Sequence, residues 1–201
     1  MKMKKYYLFI LLFCIGLLTS AIHPKDYFTW ILEVFPAIIG CSILIFTFSR
    51  FAFSDFAYIF ILLHCYILFI GGHYTYAEVP LFDWIKEVFH QSRNNFDKIG
   101  HFAQGFVPAI ICREIFIRNN IIPSKTWTTV LTVTVCMSIS VCYEFLEWFV
   151  AIVSGQSAES FLGTQGYVWD TQSDMLYATI GASSMVLFFA KWHDNQLGKL
   201  K

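Results

Sequence analysis

Apolar residues run along this chain in six long blocks, separated by short stretches of charged, turn-forming or aromatic-polar positions. Each block is close to the roughly 20 residues that an α-helix needs to cross about 30 Å of hydrocarbon. The pattern predicts helices over about 5–22, 27–48, 54–72, 98–118, 127–152 and 174–191. In the fifth block Thr132, Cys136, Ser140, Glu144, Glu147 and Ala151 recur at three- and four-residue steps, which aligns them on one helical face. Small residues there let neighbouring helices approach closely, and the carboxylates avoid lipid. Asp170, Asp174, Ala178, Gly181 and Ser184 make a similar stripe into the last block. The expected architecture is all-α, a polytopic membrane helix bundle of about six transmembrane helices, with residues 1–201 forming a single integral membrane domain.

Two segments admit a second reading. The first block follows Lys2, Lys4 and Lys5 and ends in Thr19-Ser20-Ala21, so it also suits a secretory signal, whose cleavage would leave five spans. Between the third and fourth blocks, Pro80 can open a short helix with Leu81, Phe82, Trp84, Ile85, Val88 and Phe89 on one side. Asp83, Lys86, Glu87 and His90 take the other side, as in a helix lying on a bilayer surface, although a loop packed on the bundle has the same composition.

Composition agrees with the pattern. The chain is 57% hydrophobic and only 14% charged, against about 25% charged in soluble domains, and its mean hydropathy is +0.58. Its natural partner is the lipid bilayer. Formal net charge is zero, so no basic field points to nucleic acid. The six cysteines lie in apolar runs without a CxxC pair and are expected as small core residues, not as disulfides or zinc thiolates. With the N-terminus cytoplasmic, Lys2, Lys4, Lys5, Arg50, Arg113, Arg118, Lys125, Lys191, Lys199 and Lys201 fall inside. Only Lys25, Lys86, Arg93 and Lys98 fall outside, which favours both termini in the cytoplasm.

That orientation places seven ionisable side chains at or just beneath one face: His73, Asp97, His101, Glu144, Glu147, Asp170 and Asp174. Each charge inside hydrocarbon costs roughly 2.5–3.5 kcal/mol even on the lenient insertion scale, so intramembrane acids mark candidate sites. Asp97, His101 and Gln104 share a helical face, and an imidazole beside a carboxylate is a proton-transfer pair or part of a metal shell. Asp97 also suits an N-cap, as do Asp170 and Ser173, while Gly163 and Gly166 suit turns. Counting at 1.5 Å per residue, Glu147 lies about 9 Å deep and Glu144 about 13 Å. Candidate acid/base groups are His101, Asp97 and Glu144. Candidate ligands of a divalent Mg, Mn or Zn ion are His73, His101, Glu144, Glu147, Asp170 and Asp174. His64, in mid-span, is expected as a core histidine, and Arg93 is the cation placed to balance the acids.

The run DKIGHFAQGFVPA, the pair YEFLEW and the segment FLGTQGYVWDTQSDM resemble the uncharacterised YjdF-like family of bacterial inner-membrane proteins, over about Tyr58 to Phe189. The resemblance implies a multi-pass inner-membrane protein and no particular activity. A more remote likeness, to VanZ-like membrane proteins, follows Asp97-Lys98, His101-Phe102, Glu144, Gln165, Asp174 and Gly181. It departs from that pattern in lacking an arginine shortly after Gln165 and in having Ala178 where asparagine is usual.

Three kinds of function fit these residues. The first is metal-dependent acid/base chemistry on an amphiphilic or envelope substrate, without a GxSG serine or an HExxH motif. The others are a small-solute or proton-coupled transporter, with Glu144, Glu147 and His64 as relay groups, and a non-catalytic membrane scaffold.

Overall fold

A computed structural model describes residues 2–154, 159–162 and 164–200, so Gly163 and Lys201 lie outside the described residues. Helices dominate and no strand occurs among the described residues. They are α1 (Lys2–Ser20), α2 (Tyr27–Thr47), α3 (Asp55–Tyr74), α4 (Pro80–Val88), α5 (Phe96–Arg118), α6 (Lys125–Ser154), α7 (Glu159–Leu162) and α8 (Asp170–Ser184). A π-helical turn, Met185–Phe189, joins α8 to α9 (Ala190–Gly198) as one continuous rod.

Four rods are long and apolar enough to cross a membrane: Tyr27–Thr47, Asp55–Tyr74, Lys125–Ser154 and Asp170–Gly198. The 19 residues of α1 and 23 of α5 have comparable length. Lysines crowd the start of α1, however, and α5 carries Asp97, Lys98, Arg113, Glu114 and Arg118 near its two ends. The rods alternate in direction. Lys5 of α1 pairs with Asp55 at the start of α3, and Ser54 binds Glu114 near the end of α5, which touches His193 of α9. Both chain termini therefore sit at one end of the bundle. At the other end, Ser20 and Lys25 meet His73 through backbone oxygens and its ring, and Arg93 meets Asp170.

The outside of the bundle is greasy. Phe46 (82% exposed), Phe188 (77%) and Leu187 (70%) stand fully outward, as side chains do when hydrocarbon replaces water as the solvent. Inside, Phe13, Val34, Phe56, Phe69, Phe106, Ile110 and Met185 form a continuous core. The expected stripe on α6 is buried at Thr132, Cys136, Ser140 and Glu144, and the one on α8 at Asp170, Asp174, Ala178 and Gly181. All six cysteines are free.

Helix α5 is the central rod, in contact with α3, α6 and α8. Its crossing with α8 is close because two glycines face backbone. A Cβ on Gly105 would fall 1.8 Å from the Ala178 carbonyl oxygen, and one on Gly181 would fall 2.0 Å from that of Phe102. This approach brings the acids of α8 to the first turns of α5. Pro80 opens α4 as the pattern predicts, with Leu81, Trp84 and Val88 exposed and Phe82 turned inward onto Phe96.

At the terminus-bearing end, a buried polar lock ties α3, α5 and α9. Glu114 Oε1 accepts from Ser54 N (2.8 Å) and Arg118 Nη1 (2.8 Å), and Oε2 accepts from Ser54 Oγ (2.6 Å). His193 Nε2 lies 3.3 Å from Oε2, and its Nδ1 faces Arg113 Nη1 at 3.2 Å, so Nε2 carries the hydrogen towards Glu114.

Candidate functional site

The opposite end of α5 is built differently. Asn95 precedes the helix without a side-chain cap bond, the Phe96 N–H is met by Asn94 Oδ1 (3.1 Å), and the Asp97 carboxylate engages Arg93 and His101. One turn on, His101 (6% exposed) places Nε2 3.2 Å from Asp97 Oδ1 and 3.8 Å from Asp174 Oδ2. Its Nδ1 lies 3.1 Å from Gln104 Oε1, the acceptor three residues along the same face. A hydrogen on Nδ1 satisfies Gln104. Nε2 then faces two carboxylates, an arrangement met either by a second proton on the ring or by a cation between them. Candidate ligand atoms of Asp97, His101 and Asp174 all lie within 4.8 Å of one another.

Neither Asp170 nor Ser173 caps α8. Its capping position is Trp169, which offers no side-chain bond. Asp170 instead receives Arg93 Nη1, whose Nη2 reaches Asp97 Oδ2 at 3.4 Å. Ser173 Oγ accepts from Lys98 Nζ at 2.6 Å, and that ammonium lies 5.3 Å from the Tyr167 ring and 5.2 Å from the Tyr177 ring. Acids outnumber permanent cations here: Glu33, Asp97, Glu144, Glu147, Asp170 and Asp174 against Arg93 and Lys98. Two carboxylate oxygens, Glu144 Oε1 and Asp174 Oδ1, are buried without a hydrogen-bond partner. Buried polar atoms are nearly always paired, so these two oxygens retain unused acceptor capacity.

A cavity of about 220 Å³ opens onto this centre, walled by Asp97, His101 and Gln104 of α5, Glu33 of α2, and Tyr143 and Glu147 of α6. Just before α5, two loops are tied together. Gln165 accepts from the Asn94 backbone N–H (3.0 Å) and donates to the Asn94 carbonyl (2.9 Å). Asn94 is itself fully buried, donating to Val79 O and Asp83 Oδ1. Gly166 supplies the left-handed turn (φ +80°) next to Gln165, as the sequence led one to expect.

Of the seven expected site residues, Asp97, His101, Asp174, Glu144, Glu147 and Asp170 gather around this centre. His73 does not. Its ring Nδ1 is 2.9 Å from the Ser20 carbonyl, and it neither lines the cavity nor joins the ligand group. The chain turns away after it through left-handed Thr75 and Tyr76. Glu33, absent from the expected set, stands in the cavity wall (5% exposed). Its signal was a lone acid inside an apolar block, the same signal that singled out Glu144.

Alternating apolar rods with a lipid-facing exterior and a buried polar centre define an integral, multi-pass membrane protein. The chain belongs to the family described as predicted membrane protein (DUF2238), which matches residues 5–195. It is 44% identical to the inner membrane protein YjdF of Escherichia coli (strain K12) over 181 residues, 90% of this chain and 87% of that protein. Its location is accordingly the bacterial inner membrane. No solved structure matches the chain.

Proposed function

We propose that this is a single integral domain of six membrane spans with both termini cytoplasmic, holding a divalent cation near its periplasmic face for acid/base chemistry on an envelope or lipid-like substrate. Asp97, His101 and Asp174 are the ligands of the cation. Glu144, with an oxygen to spare, is the nearby acid or base, and Arg93 fixes Asp170 and Asp97 in place. A donor set of one imidazole and two carboxylates, with no thiolate among its members, suits Zn, Mn or Mg. Such an ion, when bound, acidifies water and polarises phosphoryl or carbonyl oxygen.

The observation that carries the proposal is the His101 ring, hydrogen-bonded behind by Gln104 and facing two carboxylates in front. Support for the orientation comes from the lysine and arginine distribution and from the two termini sharing one end. The test is elemental analysis of the detergent-purified protein. About one divalent ion per chain is expected, lost in His101→Ala and Asp174→Asn. Metal-free wild-type protein after purification without chelator overturns the proposal.

A further inference from the structure

Helices α2 and α5 both pack on α3 but make no extended contact with each other. The gap between them holds two cavities in succession. The polar one described above is followed by a second of about 570 Å³, and the two share Pro36, His64, Leu68 and Pro108 as walls. Apart from His64, Thr47 and Asn119, the second cavity is lined by apolar, glycine and cysteine positions. Its size falls within the roughly 300–1,000 Å³ of small-molecule sites.

Three observations say what fills it. On α2 the walls run from Glu33 in the polar cavity, through Pro36 in both, to Thr47 in the apolar one, which at 1.5 Å per residue is about 21 Å of continuous groove. The groove is open sideways: Ile43 on its rim is 55% exposed, and a Cβ on Gly40 would meet nothing within 4 Å. In a membrane that opening faces acyl chains, and an apolar void of such volume is too costly to stand empty. Lastly, the polar end is acidic and, with the cation of the preceding section, presents a positive centre for an anionic oxygen.

We infer that the groove between α2 and α5 binds the hydrocarbon chain of a phosphate-headed amphiphile, entering sideways from the bilayer, with its phosphate at Asp97, His101 and Asp174. This rests on the cation proposed above. Pro36 and Pro108 lie where the chain meets the head. Each interrupts the backbone ladder of its helix, which leaves room at the junction without cutting either rod.

The test uses a long-chain alkyl phosphate carrying a terminal diazirine, with its parent alcohol as control, in phosphatidylethanolamine–phosphatidylglycerol vesicles containing the full chain. Photolysis with the phosphate is expected to label the groove segments at 40–44 and 61–68. Labelling falls about tenfold in Gly40→Trp and about tenfold with the alcohol. Metal content stays that of wild type in Gly40→Trp, since Gly40 is remote from the ligands. Gly40→Leu replaces it should the Trp variant not fold. Labelling spread evenly over lipid-facing positions such as Leu8 and Phe149, or equal labelling by the alcohol, overturns the inference while a bound metal leaves the cation standing. Metal-free protein overturns both.

Discussion

At the C-terminal end of α5, Glu114 engages both carboxylate oxygens with four donors from Ser54, Arg118 and His193. At the N-terminal end, Asp174 and Glu144 each keep a buried oxygen that nothing meets. The two clusters sit at opposite ends of one helix, with similar burial and similar residue types. What separates them is saturation. A buried carboxylate surrounded by complementary donors locks helices together, whereas a surplus of acids around a histidine leaves acceptors unused, which is the basis of the proposed cation site. Burial alone, the property most visible in sequence, does not tell these roles apart.

Substitutions at the two ends should therefore behave differently. The largest effect is expected from Glu114→Ala, which leaves the buried Ser54 N–H and hydroxyl and the His193 ring N–H without a partner and costs about 3–5 kcal/mol; denaturant unfolding in detergent micelles measures it. A loss under 1 kcal/mol would erase the contrast. Next, Gln165→Ala leaves the buried Asn94 N–H and carbonyl without partners and should cost about 1–3 kcal/mol while loosening the two loops it ties, read as faster proteolysis there.

Asp26→Ala, away from both clusters, removes the N-cap of α2 for about 1 kcal/mol. The Thr29 backbone N–H holds the Asp26 carboxyl below its ordinary value. Its contribution is therefore full above the unfolded aspartate value of about 3.9 and is lost as pH falls through the lower folded one. A wild-type advantage over Asp26→Ala that persists below that range would contradict the cap. Smallest of all, Glu144→Gln in chelator should leave stability within about 0.5 kcal/mol of wild type, because the amide keeps an oxygen that can accept from Thr171.

Much of the bundle was legible in the sequence. Four spans declare themselves by apolar length, and the stripes from Thr132 to Glu144 and from Asp170 to Gly181 fixed which faces turn inward. Helix α5 is less apolar because it carries both charged clusters. Within it, Asp97, His101 and Gln104 could be aligned from their spacing alone, since helical geometry is local. Pairings between helices could not. That Asp174 reaches His101, or that Arg93 takes Asp170, depends on the depth of the Gly105–Gly181 crossing, which no single helix encodes. His73 was misleading for a related reason: its place at a helix end suited the site, but the packing of α3 on α1 sets its ring against Ser20 instead. The lock at Arg113 and Glu114 is hidden in the same way, since His193 lies about 80 residues away and only the fold brings it there.

The most direct measurement of the difference between the two ends is thermal unfolding of the purified protein with and without added divalent cation. A ligand that binds only the folded state stabilises it by about 2.7 kcal/mol at a hundredfold excess over its dissociation constant. The wild-type Tm is expected to rise with Zn, Mn or Mg. The same addition should leave Asp174→Asn unmoved but still raise the Tm of Ser54→Ala, a variant of the saturated lock. No rise for wild type, or an equal rise in Asp174→Asn, would contradict the assignment of the unsaturated end as a cation site.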